Sequence, residues 1–201
     1  MAFRLNDELI PAPEEGGSEI QKLQRLLETG SPRQQQAAAA RLVHLGAEDA
    51  LSDSLVSKNP ETVRLATGGL WECWLNEQGA SARREIDKGI RRMNEGDLAG
   101  ALEIFGQLVE RYPNWAEAHN KQATALYLLG NARLSLKVCQ VVVELKPKHF
   151  GAWNGMALCA AQLERWQTAL DAARKALSIQ PSAQANLDLI QLAQAKLRDA
   201  Q

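Results

Sequence analysis

The chain has 201 residues, of which 45% are hydrophobic, and 23 Lys and Arg against 24 Asp and Glu give a net charge of -1. This length accommodates one or two packed units. The helix-favouring residues Ala, Leu, Gln, Glu and Arg dominate, whereas alternating β-branched runs are scarce. The charge balance argues against a general nucleic-acid or anionic-membrane binder, because such proteins cluster positive charge. The sequence has no apolar run long enough to predict a membrane span.

Residues 1–17 predict a flexible tail, because two prolines and the Gly16-Gly17 pair lie there among acidic residues. This segment lacks the basic start and the apolar run of a secretory signal. Ser18 and Gln21 have the spacing of a capping box, which predicts a helix that begins after Ser18 and ends near Gly30.

A weak repeat follows in the N-terminal region. Ser31-Pro32 and Asn59-Pro60 are 28 residues apart, and each combines a capping residue with a proline at the first turn of a helix. Apolar residues agree at the same offset: Ala38 with Ala66, and Leu42 with Leu70. This helical hairpin, with its turn at Leu45-Gly46, resembles a HEAT-type repeat. The resemblance implies a HEAT-like helical region over residues 18–80.

The end of this region combines glycine with tryptophan. Gly68-Gly69 lies inside a predicted helix, where each glycine costs about 1 kcal/mol relative to alanine. We therefore expect either a kink or the close approach of a neighbouring helix. Trp71 and Trp74 follow on one helix face, and we expect them to cover apolar area at the boundary with the next region.

From Ala82 onward the sequence repeats every 34 residues, as the prolines Pro113, Pro147 and Pro181 show. A period of this size is typical of stacked helical hairpins. Small residues recur within the helices and turn residues recur between them: Gly89, Ala123 and Ala157; Ala101, Ser135 and Ala169; Gly96-Asp97, Gly130-Asn131 and Glu164-Arg165. Small residues let two helices approach each other, and each proline ends the helix before it.

This pattern resembles the tetratricopeptide repeat (TPR) family. The resemblance implies an all-α fold, a right-handed α-solenoid of three helical hairpins over residues 81–181. The repeats fall at about 82–115, 116–149 and 150–183. Residues 182–201 predict a C-terminal capping helix, because a stacked array exposes its last apolar face unless an amphipathic helix covers it.

In this family the first helix of each hairpin lines a concave groove, and the resemblance implies that a protein or peptide partner binds there. The residues expected to form this groove are Asn120, Lys121, Thr124, Tyr127, Asn154, Leu158, His149 and Ile90, with Leu128 as the alternative to Tyr127. Asn120 and Asn154 are one period apart, and a ladder of amides can bind the backbone of an extended peptide. The alternative, in which both asparagines bond a neighbouring helix backbone, stays open.

Some members of the TPR family bind the acidic C terminus of cytosolic chaperones through a clamp of Lys, Asn, Asn, Lys and Arg. The matching positions here are Ile86, Ile90, Lys121, Gly151 and Gly155. Because this chain departs from the clamp at almost every position, we do not expect that co-chaperone role.

The sequence has no recognisable catalytic or metal-binding motif. His44, His119 and His149 are far apart, and phosphate-binding glycine motifs and nucleophile elbows are absent. We therefore expect no enzymatic activity, no cofactor and no metal. His119 lies on the face that packs within its repeat and is expected to be structural, whereas His149 is expected at the groove entrance.

Cys139 and Cys159 lie in the periodic helices and are expected to be buried as small hydrophobic residues. Because no C-x-x-C pair is present, the cysteines indicate reduced thiols and a cytosol-like compartment. Residues 115–124 resemble small TPR proteins of bacteria, cyanobacteria and plastids. This resemblance implies a bacterial or cyanobacterial cytoplasm, or a plastid stroma if a transit peptide has been removed.

Two functions are compatible with these observations. The first is a non-catalytic adaptor that binds a peptide or protein in the groove and assists complex assembly. The second is a structural subunit that self-associates or belongs to a larger assembly through apolar patches at Trp71, Trp74, Trp115 and the terminal helix. The sequence leaves open the oligomeric state and whether the groove or the convex face is the working surface. RNA binding is a remote third possibility because of the charge balance.

Overall fold

The computed structural model describes residues 18–199, so the predicted tail at 1–17 lies outside the described residues. The described residues form α-helices, turns and one short 3-10 helix, without a strand. The all-α prediction is confirmed. Within residues 18–199 no helix is both long enough and apolar enough to cross a membrane. The chain divides into two compact units between Trp74 and Leu75.

The first unit contains the helices α1 (Glu19–Thr29), α2 (Pro32–His44) and α3 (Glu48–Asp53), with a 3-10 turn at Ser54–Val56, and α4 (Pro60–Asn76) up to Trp74. The predicted capping box is present at the start of α1. Ser18 Oγ accepts a hydrogen bond from the Gln21 N–H at 3.3 Å, and the Gln21 side chain accepts one from the Ser18 N–H at 3.0 Å. Pro32 occupies the first turn of α2, as the sequence predicts.

Close packing explains one residue of the glycine pair in α4. A Cβ atom on Gly69 would lie 3.0 Å from the Leu51 side chain, whereas Gly68 has no atom within 4 Å of that position. Trp74 is buried, and its indole N–H donates to Glu48 Oε2 at 2.9 Å. The HEAT-like interpretation of this unit and the domain limits stay predictions.

Over its described residues, 75–199, the second unit contains seven helices, which alternate between two layers. The first helices of the hairpins are α5 (Gly79–Asn94), α7 (Ala116–Leu128) and α9 (Phe150–Gln162), followed by the terminal α11 (Gln184–Asp199). The second helices are α6 (Leu98–Arg111), α8 (Ala132–Leu145) and α10 (Trp166–Ile179). Each helix packs against the next one in the chain, and α5, α7, α9 and α11 also contact one another in series.

The 34-residue period is visible in the backbone of the turns. Gly96, Gly130 and Glu164 occupy equivalent positions with φ values of 85°, 81° and 56°, all in the left-handed region. The next residue caps the following helix in the first two repeats, where Asp97 and Asn131 accept hydrogen bonds from the N–H groups of Gly100 and Leu134. Glycine adopts this conformation without strain, whereas Glu164 adopts it at a cost.

The small residues lie at the contacts between helices, as predicted. A Cβ atom on Gly89 would lie 2.5 Å from Cε1 of the buried Phe105, so α5 and α6 approach closely at this point. Ala123 and Ala157 at the equivalent positions are buried as well. The terminal helix α11 packs on α10 and α9, with Leu189 and Ala193 buried.

Candidate protein-binding groove

The inner surface of the first helices consists of three rows of equivalent residues. We define the inner rows by the repeat period: row one is Ile86, Asn120 and Asn154; row two is Ile90, Thr124, Leu158 and Leu192; row three is Asn94, Leu128, Gln162 and Lys196. Ile86 and Asn120 are buried and Asn154 is half-buried. In row two Ile90 and Thr124 are half-buried and Leu158 and Leu192 are exposed, and all of row three is exposed. Accessibility therefore increases from row one to row three.

The two asparagines do not form an accessible ladder. Asn120 is only 6% exposed, and its Nδ2 donates to Glu117 Oε2 at 3.1 Å. Asn154 is half-buried, and its Oδ1 atom is buried without a hydrogen-bond partner. The predicted peptide contact at Asn120 is wrong because the side chain is already bonded inside the protein. The alternative, a hydrogen bond to the backbone of a neighbouring helix, is also wrong for Asn120, because its partner is the carboxylate of Glu117 on the same helix.

A buried polar network explains why Asn120 is not available. Glu117 is fully buried, and its Oε1 lies 2.9 Å from Lys121 Nζ while its Oε2 lies 3.0 Å from His149 Nε2. We call Glu117, Asn120, Lys121 and His149 the Glu117 network. It links α7 of the second repeat to the residue that precedes α9 in the third.

The hydrogen bonds of His149 determine its tautomer. The backbone N–H of Ala152 donates to His149 Nδ1 at 3.1 Å, so Nδ1 has no proton. The proton therefore resides on Nε2, which donates to Glu117. His149 is the N-cap of α9 and is fully buried. The prediction that it contacts a ligand at the groove entrance is wrong, because both ring nitrogens serve the fold.

The partners of Glu117 keep it ionised despite its burial. Burial by itself would raise the pKa of this carboxyl. The hydrogen bond from His149 and the positive charge of Lys121 outweigh burial, so the pKa of Glu117 lies below its ordinary value. The second repeat therefore contains a buried carboxylate whose charge is compensated by Lys121.

The other predicted groove residues differ in their accessibility. Thr124 is half-buried, and its hydroxyl donates to the Asn120 carbonyl at 2.9 Å. Tyr127 and Ile90 are half-buried and pack against the apolar cores of the second unit. Leu158 is 37% exposed. Leu128, the alternative to Tyr127 at this face of the second repeat, is 52% exposed and is the more accessible of the two.

Charged side chains on this face form ion pairs with one another. Arg83 Nε lies 3.0 Å from Asp87 Oδ2 on α5, and Lys121 pairs with Glu117 on α7. The equivalent positions of α9 are Gly151 and Gly155. The inner face of the three repeats is therefore close to electrically neutral.

The structural histidine and cysteines agree with their predictions. His119 is buried, and its Nε2 lies 2.8 Å from the Pro113 carbonyl oxygen. Cys139 and Cys159 are both 1% exposed, and the Cys159 thiol donates to Ser135 Oγ at 3.1 Å. The described part of the chain contains no group of three or more His, Cys, Asp or Glu arranged to hold a metal ion.

Two of the three tryptophans do not supply the apolar patch of the second predicted function. Trp115 is 0% exposed and Trp74 is 1% exposed, so neither can contribute to an external surface. Their size and their position in the hairpins direct them into the interior, where Trp115 packs edge-on against Tyr112 with ring centroids 5.9 Å apart. Trp71 is half-buried, and the terminal helix exposes Leu187 and Leu192, so self-association through these parts of the predicted patch stays a prediction.

Comparison with known proteins decides the family of the repeats. The sequence profile of the tetratricopeptide repeat matches residues 86–149 and 142–184. Residues 86–184 belong to the TPR family. A TPR repeat-containing protein of Rhizobium etli is 30% identical over 109 residues, which cover 54% of this chain and 53% of that protein. The chain thus spans about half the length of this curated relative.

Solved structures show the same fold for the TPR array. The first TPR domain of Spaghetti (RPAP3), bound to the HSP90 peptide SRMEEVD, matches with a TM-score of 0.56 at 15% identity over 57% of this chain and 90% of that chain. The MamA protein matches with a TM-score of 0.54 at 20% identity over 81% of each chain. At these identities the comparison establishes the α-solenoid fold alone.

Proposed function

We propose that the TPR array is a non-catalytic scaffold that binds an extended segment of a protein partner across inner rows two and three. The observation that supports this most directly is the exposure of Leu128, Leu158 and Leu192, at 52%, 37% and 45%, on the first-helix layer of a family that functions in protein interaction. The similar RPAP3 domain is described as bound to a peptide, which supports the same mode of action here.

The charge of this face favours a largely neutral, apolar segment. Arg83 and Lys121 are already paired with Asp87 and Glu117, so an acidic peptide terminus gains little from them. Row two instead offers Ile90, Thr124, Leu158 and Leu192, whose apolar surface is covered when a partner binds. This composition differs from the clamp of Lys, Asn and Arg that some TPR proteins use for chaperone tails.

The spacing of the helices suggests the pattern of the bound segment. Packed helices lie about 8–10 Å apart. A polyproline II segment advances about 3.1 Å per residue with three residues per turn, so every third side chain points the same way at intervals of about 9 Å. We therefore expect the partner to present an apolar side chain at every third position, one to each first helix.

Two substitutions in row two test this function. Leu158→Arg with Leu192→Arg places two cations where apolar side chains are expected, and we expect captured partner in an affinity purification to fall at least about tenfold. Both residues are exposed, so the melting temperature is expected to stay within about 2 °C. The matched control is Val56→Arg, since Val56 is 63% exposed and lies in the first unit.

A synthetic peptide with leucine at every third position supplies the direct measurement. Binding to the wild type and loss of binding to the double variant support the proposal. Equal capture of cellular partner by the wild type, the double variant and the Val56 control contradicts it. Preference for a peptide with leucine at every second position contradicts the proposed spacing while leaving the groove itself in place.

A further inference from the structure

The outer helix of the second repeat has an exposed apolar stripe. Leu134, Val138, Val141 and Leu145 follow one another along α8 at steps of four, three and four residues, so they lie on one helix face. Leu134 is 46% exposed, Val141 38% and Leu145 37%, while Val138 is half-buried. We call these four residues the α8 stripe.

The repeat fold does not require this stripe, as the sibling helices demonstrate. At the four equivalent positions α6 has Gly100, Ile104, Gln107 and Arg111, and α10 has Thr168, Ala172, Lys175 and Ile179. Neither helix presents a continuous apolar face there, although both occupy the same place in their hairpins. Three exposed apolar side chains and the half-buried Val138 in a row on α8 alone therefore indicate a contact surface rather than a packing need.

We propose that the α8 stripe is a homodimerisation surface, on which α8 of a second copy of this chain packs antiparallel. The spacing of the stripe reads the same in both directions, with its midpoint between Cys139 and Gln140. An antiparallel arrangement about that point places Leu134 against Leu145 of the second copy and Val138 against Val141 of the second copy. The steps of four and three residues are those of coiled-coil seams, and a twofold contact must be complementary to itself.

Charged residues beside the stripe select the second copy as the occupant. Lys137 and Glu144 are exposed, and each directly precedes a stripe residue, so they flank the seam on the same side. In the antiparallel arrangement Lys137 faces Glu144 of the second copy, and the symmetry repeats the pair.

The sibling helices lack this complementarity. The equivalents of Lys137 and Glu144 are Glu103 and Glu110 on α6, and Asp171 and Ser178 on α10. An antiparallel pair of α6 helices would bring like charges together, and a pair of α10 helices would form no ion pair. Of these three outer helices, only α8 combines an apolar stripe with flanking charges of opposite sign.

Dimerisation through α8 is compatible with the proposed groove but independent of it. The stripe lies on a second helix, whereas the inner rows lie on the first helices and on α11. One helix pair buries less than the roughly 1,200 Å² typical of stable interfaces, so we expect a weak, reversible dimer with a dissociation constant in the micromolar range or above. In the dimer each copy keeps its own groove.

Charge reversal provides the test, with sedimentation equilibrium of the full chain as the measurement. The wild type is expected to form dimers reversibly as its concentration rises. Lys137→Glu and Glu144→Lys, made singly, each replace two attractive pairs by two repulsive ones, and we expect about tenfold weaker dimerisation. The combined variant restores opposite charges across the seam and is expected to recover the dimerisation of the wild type.

The control is Lys175→Glu, a charge reversal at an exposed residue of α10 that should leave dimerisation unchanged. Circular dichroism melting of every variant verifies that the fold is retained. A wild type that remains monomeric up to about 1 mM overturns the proposal, and it leaves a different partner as the occupant of the stripe. Single and combined variants that dimerise alike overturn it as well, because the pairing then does not depend on the predicted contacts.

Discussion

The second and third repeats share one backbone plan but differ in what their equivalent positions contain. Glu117 in the second repeat is a fully buried carboxylate, and its equivalent in the third is Gly151. The outer helix α8 has an apolar stripe, whereas α10 has Thr168 and Lys175 at two of the same four positions. The comparison shows that the period specifies the scaffold, and that departures from it locate the chemistry particular to this chain.

The largest expected effect comes from removing Glu117. Glu117→Ala leaves Lys121 without its buried partner and His149 without its acceptor, and we expect a loss of about 3 kcal/mol in the free energy of unfolding. Urea denaturation at neutral pH measures it. The control Glu110→Ala removes an exposed carboxylate and is expected to change stability by less than about 0.5 kcal/mol. Equal losses of stability in the two variants would show that the Glu117 network stabilises the fold no more than an exposed carboxylate does.

The difference between wild type and Glu117→Ala is also expected to depend on pH. The pKa of Glu117 in the folded protein lies below the ordinary value of 4.5, so the unfolded chain binds more protons between these two pH values. The contribution of Glu117 is therefore complete above about pH 4.5 and declines as the pH falls through the folded-state pKa. Parallel denaturation curves at pH 7 and pH 3 measure this decline, and a difference that stays constant contradicts it.

A smaller effect is expected at the contact between α5 and α6 in the first repeat. Gly89→Ala makes this position identical to Ala123 and Ala157 of the other repeats, but its Cβ would lie 2.5 Å from Phe105. Overpacking costs about 1–3 kcal/mol and exceeds the helix propensity gained from alanine. Thermal unfolding should show net destabilisation.

The double variant Gly89→Ala with Phe105→Cys sharpens this test, because it reproduces the Ala123 and Cys139 pair of the second repeat. Its loss of stability is expected to be smaller than the sum of the two single losses. If the loss of the double variant equals the sum of the single losses, the ring of Phe105 is not the reason that glycine occupies position 89.

The smallest effect is expected at the turn of the third repeat. Glu164 has a φ of 56° where the other repeats have glycine, so Glu164→Gly relieves strain and should stabilise the protein by about 0.5–1 kcal/mol. The reciprocal change Gly130→Ala, at a φ of 81°, should destabilise it by a similar amount. Urea denaturation measures the change in the free energy of unfolding for both variants. Backbone strain predicts opposite signs for the two changes, whereas a general surface effect predicts the same sign.

The scaffold was predictable because each of its features is local in sequence. The capping box at Ser18, the left-handed turns at Gly96 and Gly130, and the small residue at Gly89 all follow from spacing and side-chain size. The candidate site was predicted less well. Of the eight groove residues, Asn120 and His149 are buried. Leu128, the alternative to Tyr127, is exposed, and Leu192 is exposed although the prediction did not place it in the groove.

By itself the sequence determined the all-α class, the 34-residue hairpins and the residues at their contacts, because a repeated unit shows its constraints in every copy. Tertiary structure alone decided that Glu117 meets His149, which is 32 residues away, and that both are removed from the surface. This contact occurs in one copy only, so no period reveals it. Its partners come from two hairpins, and their burial depends on how those hairpins pack.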